Sequence, residues 1–376
     1  MHARFLCSDV DVFGGHLEAT AGKEVTSFVA SATRDALPEL TTAIAETLTA
    51  PKLDSWELSE MSYWATAKLE ALKSAPGAAL SADVAAAVFG EASPLGHHAL
   101  PSAGQWGKLT TGDVKDFLSA HVQGNNMVLA GVNVDHAELV EQADLLLMGV
   151  PEGVATKFAA TAPRGGEFIT RTETDSAALG LGFGLTGLDA KTQAAVAVLT
   201  AALGGVSGPR PFTSVRKNAL STLAEKIAAG QSGVPAGSKL VATSQQFTDA
   251  TLLSFQGATT GAAAGDWLAL AVSTLKDIAS GKLTEEEITR AKNVAALDAV
   301  GPLSGISGLR NDLGSQIALS GKHSDAAAQV AAFGAVTKAD VEKAAATVLK
   351  SGVPGVAVRG NASAVPRFDA LAASML

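Results

Sequence analysis

Behind Gly14-Gly15 the chain alternates, with His16, Glu18 and Thr20 on one side of an extended run and Leu17 and Ala19 on the other. A period of two predicts a strand, and Val25 to Ser31 (VTSFVAS) predicts its antiparallel partner across the turn Ala21-Gly22-Lys23-Glu24. The period then lengthens. Leu40, Ala43, Ile44, Thr47 and Leu48 predict a helix over Asp35 to Leu48. Leu58 to Ser74 predicts a second, its apolar face carried by Met61, Ala65, Leu69 and Leu72. Trp64 sits at the margin of that face, four residues from both Glu60 and Lys68, and both a core and a protein-interface role stand open for it. Ser81 to Phe89 predicts a third helix with an N-cap at Ser81-Ala82-Asp83. Thr110-x-x-Asp113 is a capping-box pattern for a helix ending near His121, followed by a strand at Asn126 to Val134 and a helix over His136 to Met148.

Pro151 to Gly166 has no period and is rich in Ala, Gly, Pro and Thr, which marks a linker. Beyond it the pattern starts again: a strand at Ser176 to Leu185, a helix at Asp189 to Leu203, a strand at Thr251 to Gly257, and helices at Ala262 to Ser280 and Thr284 to Ala299. Near the end, Val336-Thr337-Lys338-Ala339-Asp340-Val341 parallels Leu109-Thr110-Thr111-Gly112-Asp113-Val114, and each is followed by a helix and a Val- and Ala-rich strand. The repeated order points to an internal duplication. The expected architecture is α+β: two similar domains, residues 1–150 and 167–376 around a linker at 151–166, each a mainly antiparallel sheet with helices on one face.

Composition narrows the function. Hydrophobic residues make up 47% of the 376 and charged ones 17%, so the chain is globular, and no run of 18 apolar residues offers a membrane span. The longest candidate, Ala194 to Val206, is split by Gly204-Gly205. A formal charge of -9 without a Lys/Arg cluster argues against nucleic acid as the main partner. The single cysteine, Cys7, rules out an intrachain disulfide and a thiolate-rich zinc site, and suits a reducing compartment. The opening residues MHARFLCSDV lack the apolar core of a signal peptide and are short for a transit peptide.

The candidate chemistry is thin. The histidines are His2, His16, His97, His98, His121, His136 and His323, and no His-x-x-Glu-His or His-Glu-x-x-His occurs. His16 and Glu18 share a strand face but make half a metal site at most. There is no Gly-x-Ser-x-Gly elbow, and nothing basic near Cys7 would activate it. The glycine-rich stretch Leu203 to Phe212 lacks the Gly-Lys-Ser/Thr ending of a phosphate loop and reads as a surface loop.

The segments GGHLEATAGKEVTSFVASATRDALPELTTAIAETLTAPKLDSWEL and LGHHALPSAGQWGKLTTGDVKDFLSAHVQGNNMVLAGVNVDHAELVEQA resemble the pitrilysin/insulinase-like metallopeptidase family. So do RGGEFITRTETDSAALGLGF, AAAGDWLALAVSTLKDIASGKLTEEEITRAKN and LGSQIALSG. That family includes the mitochondrial processing peptidase subunits and the core proteins of respiratory complex III, and the core-protein branch is the one this chain most resembles. The resemblance implies two similar α+β domains around a central cavity. It also implies that the zinc helix of active members would lie upstream of the Gly-Gly strand, outside this sequence. The third ligand of active members, a Glu on a later helix, would fall near Trp64, and the second-domain tyrosine of active members has no counterpart beyond Tyr63. The expectation is therefore a subunit without catalytic, cofactor or metal residues. By resemblance its partners would be a core protein 1-like subunit and the cytochrome b and c-type cytochrome subunits, on the matrix side of the mitochondrial inner membrane.

Overall fold

A computed structural model describes residues 10–12, 14–74, 76–98, 103–154, 160–204, 226, 230, 233–235 and 238–375. The chain forms two compact units that interleave in sequence. The first takes residues 1–71, 99–159 and 303–323, and the second takes 72–98, 160–302 and 324–376.

In the first unit the alternation after Gly15 becomes the hairpin β1 (His16–Ala21) and β2 (Thr26–Ser31). The strands are antiparallel, with His16 opposite Ser31 and Ala21 opposite Thr26, and Gly22 N–H closes the turn onto the Val25 carbonyl at 2.9 Å. The helices are α1 (Leu37–Thr49), α2 (Ser55–Ser74), α4 (Thr111–His121), α5 (His136–Leu147) and α9 (Ile306–Ser320). Of α2, residues beyond Ala71 fall in the second unit. At the start of α4 the capping box forms as expected: Thr110 Oγ1 accepts from Asp113 N–H at 3.2 Å, and Asp113 Oδ2 accepts from Thr110 N–H at 2.8 Å. The strand expected at Asn126 to Val134 does not form. Gly124 to Asn126 make a 3-10 turn and 127–134 carries no ladder to a neighbouring strand, without which an extended segment is not a strand. Buried apolar packing is small here, with Val10, Leu40 and Ala43 backed by Leu17, Ala30 and Ala32.

The second unit is built on a five-stranded sheet in the order β3 (Gly166–Arg171), β7 (Val353–Gly360), β4 (Ser176–Thr186), β6 (Ala250–Thr260), β5 (Lys239–Gln246). Only β3 and β7 run parallel. The central strand β4 shows why both faces are covered. Its odd positions, Leu179, Leu181, Phe183 and Leu185, are buried against α6 (Ala190–Leu203), α7 (Ala264–Ala279), α8 (Glu285–Val300) and α11 (Lys338–Ser351), with α12 (Phe368–Met375) adding Leu371. The short helix α10 (Ala326–Gly334) packs beside α8.

The even positions of β4 are Gly180, Gly182 and Gly184, and on that face lies α3 (Pro76–Phe89). A Cβ at Gly180 would stand 2.2 Å from a Val84 methyl, and one at Gly182 2.5 Å from the other. The glycines therefore let a helix lie directly on the backbone of the sheet. Leu80, Val84, Ala85, Val88 and Phe89 fill that layer with Ala178, Leu252 and Ala357. The helix begins at Pro76, so Ser81 is an interior residue rather than its cap. A proline in the first turn lacks only a donor that would be unpaired there anyway.

Candidate functional site

Two places carry side chains that ordinary folding does not explain. The first is the charge buried between α3 and the sheet. Asp83 is fully buried, and Arg359 on β7 grips it with both arms: Nε donates to Oδ2, and Nη2 donates to Oδ1 at 2.8 Å. A bidentate guanidinium–carboxylate pair satisfies both oxygens with fixed geometry. The carboxylate bonded to it pushes the Arg359 guanidinium above its ordinary value. His98 approaches the same carboxylate, its Nε2 3.8 Å from Oδ1, and its ring lies 5.5 Å from that of Phe168. That nitrogen is buried and has no hydrogen-bond partner among the described residues. With both oxygens held by Arg359, Asp83 is a fixed acceptor, and the cluster ties α3 to β7 rather than presenting an acid or base. Sequence analysis placed Asp83 in a helix cap. The available signal was a lone carboxylate in an Ala- and Val-rich helix and a lone guanidinium in an apolar strand (VPGVAVRG).

The second place is the outward face of α2. Trp56, Tyr63 and Trp64 are 51%, 70% and 61% exposed. Tyr63 and Trp64 meet edge to face at 5.9 Å. The other side of the helix is the covered one: Ala65 is buried and Leu58 and Leu69 are half-buried, at spacings of seven and four. Met61, expected on the inner face, is instead 56% exposed, and Trp64 stands in solvent rather than at the margin of a core. Each residue advances about 100° around a helix, which sets Trp64 about 120° from the stripe of Leu58, Ala65 and Leu69.

The remaining sequence candidates do not converge. His16 and Glu18 are exposed on β1, and Glu18 accepts from Thr20 at 3.4 Å. His121 packs on Phe117 at 4.5 Å, His323 lies 3.6 Å from Asp312, and His97 and His136 are exposed. Among the described residues no three His, Cys, Asp or Glu side chains gather as a metal site, and no helix is long and apolar enough to cross a membrane. His2, Cys7 and the glycine-rich stretch from 205 onward lie outside the described residues.

Comparison with known proteins agrees with this architecture. The pattern described as "Insulinase (Peptidase family M16)" matches residues 3–99, and that described as "Peptidase M16 inactive domain" matches residues 108–295. The chain belongs to the M16 peptidase family. It is 24% identical to cytochrome b-c1 complex subunit 2 of Rattus norvegicus over 374 residues, 96% of this chain and 78% of that one. It is equally 24% identical to a probable mitochondrial-processing peptidase subunit alpha-1 of Arabidopsis thaliana over 371 residues, 97% of this chain and 72% of that one. Its fold matches a chain in the structure of complex III2 from Candida albicans with Inz-5 bound, at a TM-score of 0.83 and 16% identity, covering 100% of this chain and 91% of that chain.

Proposed function

We propose that this chain is a non-catalytic M16-type subunit of a mitochondrial ubiquinol–cytochrome c reductase, the counterpart of core protein 2, with a structural and assembly role on the matrix side of the inner membrane. The observation that carries this reading is likeness along nearly the whole chain, 96% of it, to a cytochrome b-c1 complex subunit 2, together with the fold match to a chain of complex III2. The match of residues 108–295 to an inactive M16 domain supports a subunit that does not itself catalyse. In this reading its partners are a core protein 1-like subunit and the cytochrome b and c-type cytochrome subunits, and its membrane attachment runs through them.

A second reading draws on the equal identity to a processing-peptidase alpha subunit. In that reading the chain is the non-catalytic, presequence-binding half of a mitochondrial processing peptidase, and its charge of -9 suits basic presequences. One purification separates the two. The endogenous protein is isolated from solubilised mitochondrial membranes, and its companions, haem spectrum and zinc content are measured. Co-purification with b- and c-type cytochromes, without stoichiometric zinc on this subunit, is the expected result. A soluble pair with a zinc peptidase that cuts presequences, free of cytochromes, overturns it in favour of the second reading.

A further inference from the structure

We draw no further inference here: the strongest candidate, the outer edges of the β1–β2 hairpin in the first unit together with the exposed Val128 and Leu129 of the extended segment 127–134, carries nothing because those edges have no ladder partner among the described residues and nothing in the structure shows what covers them.

Discussion

The two units of this molecule solve the same α+β problem with unequal success. In the second, a five-stranded sheet is covered on both faces, by four helices against Leu179, Leu181 and Phe183 and by α3 against the glycines between them. In the first, a two-stranded hairpin and its helices bury far fewer apolar side chains among the described residues, a cluster of Val10, Leu40 and Ala43 with Ala36, Leu37, Ala45, Ala65 and Leu139 besides. The exposed large apolar side chains divide accordingly: Val12, Trp56, Trp64, Leu145 and Met148 are among many in the first unit, against Val241, Leu297 and Val330 in the second. A lone two-stranded sheet is marginal in water. The difference teaches that the second unit carries its own stability, whereas the first exposes the kind of surface that subunits cover for one another.

Two tryptophans give the sharpest contrast. Trp267 on α7 is fully buried, and its indole N–H donates to the Lys239 carbonyl at 3.1 Å. Trp267→Ala should cost about 3–5 kcal/mol in denaturant unfolding. Trp64→Ala should change the stability of the isolated chain by no more than about 0.5 kcal/mol. Comparable losses at the two sites would break the comparison.

The buried pair comes next. Arg359→Ala leaves the Asp83 carboxylate buried without its partner and should cost about 3–5 kcal/mol. Replacing both residues with apolar ones, Asp83→Leu with Arg359→Met, should recover most of that loss. If the double variant is no better than the single, the pair contributes through packing and not through its charges.

Gly182→Ala sets a methyl 2.5 Å from Val84 and should cost about 1–3 kcal/mol, read in the same unfolding experiment. The capping boxes are smaller. Thr337→Ala at the start of α11, where Thr337 Oγ1 accepts from Asp340 N–H at 3.2 Å, should cost about 1 kcal/mol.

Acid should weaken both units. Hydrogen bonds from Lys191 and then Thr337 hold Asp340 well below the usual carboxylate range. Those from Thr192 lower Asp189, and those from Lys282 and Lys226 lower Asp277. In the first unit Thr110 lowers Asp113 in the same way. Each folded carboxylate gives up its proton more readily than the unfolded one, so its contribution is whole above about pH 4 and is lost as pH falls through the lower folded values. Melting temperature should therefore fall below about pH 4 and hold level above it. A melting temperature that rises on acidification would reverse the sign.

Much of this fold is visible in side-chain periodicity. The hairpin follows from the alternation of His16 to Thr20, and the capped helices α4, α8 and α11 from Thr110, Thr284 and Thr337. Helices α9 and α10 escape because Gly305, Gly314 and the alanines of 326–332 blur the helical period. Strands β3 and β5 escape because they follow segments without pattern, and 127–134 misleads because a strand exists only with a neighbour to pair with. The α3 segment announces burial through its alanines and valines, but not that its cover is a strand of alternating glycines a hundred residues on. The union of Asp83 with Arg359, across 276 residues, is a tertiary fact that no local pattern carries. The aromatic face of α2 was legible as residue types, while the side of the helix that faces solvent was settled only by packing.

The most direct test of the contrast between the units is amide hydrogen exchange on this chain, alone and within its native assembly. The account expects the first unit to gain strong protection on assembly, while β4, residues 176–186, is already protected in the isolated chain and gains little. Equal protection of the first unit in both states, or a β4 that becomes protected only on assembly, would contradict it.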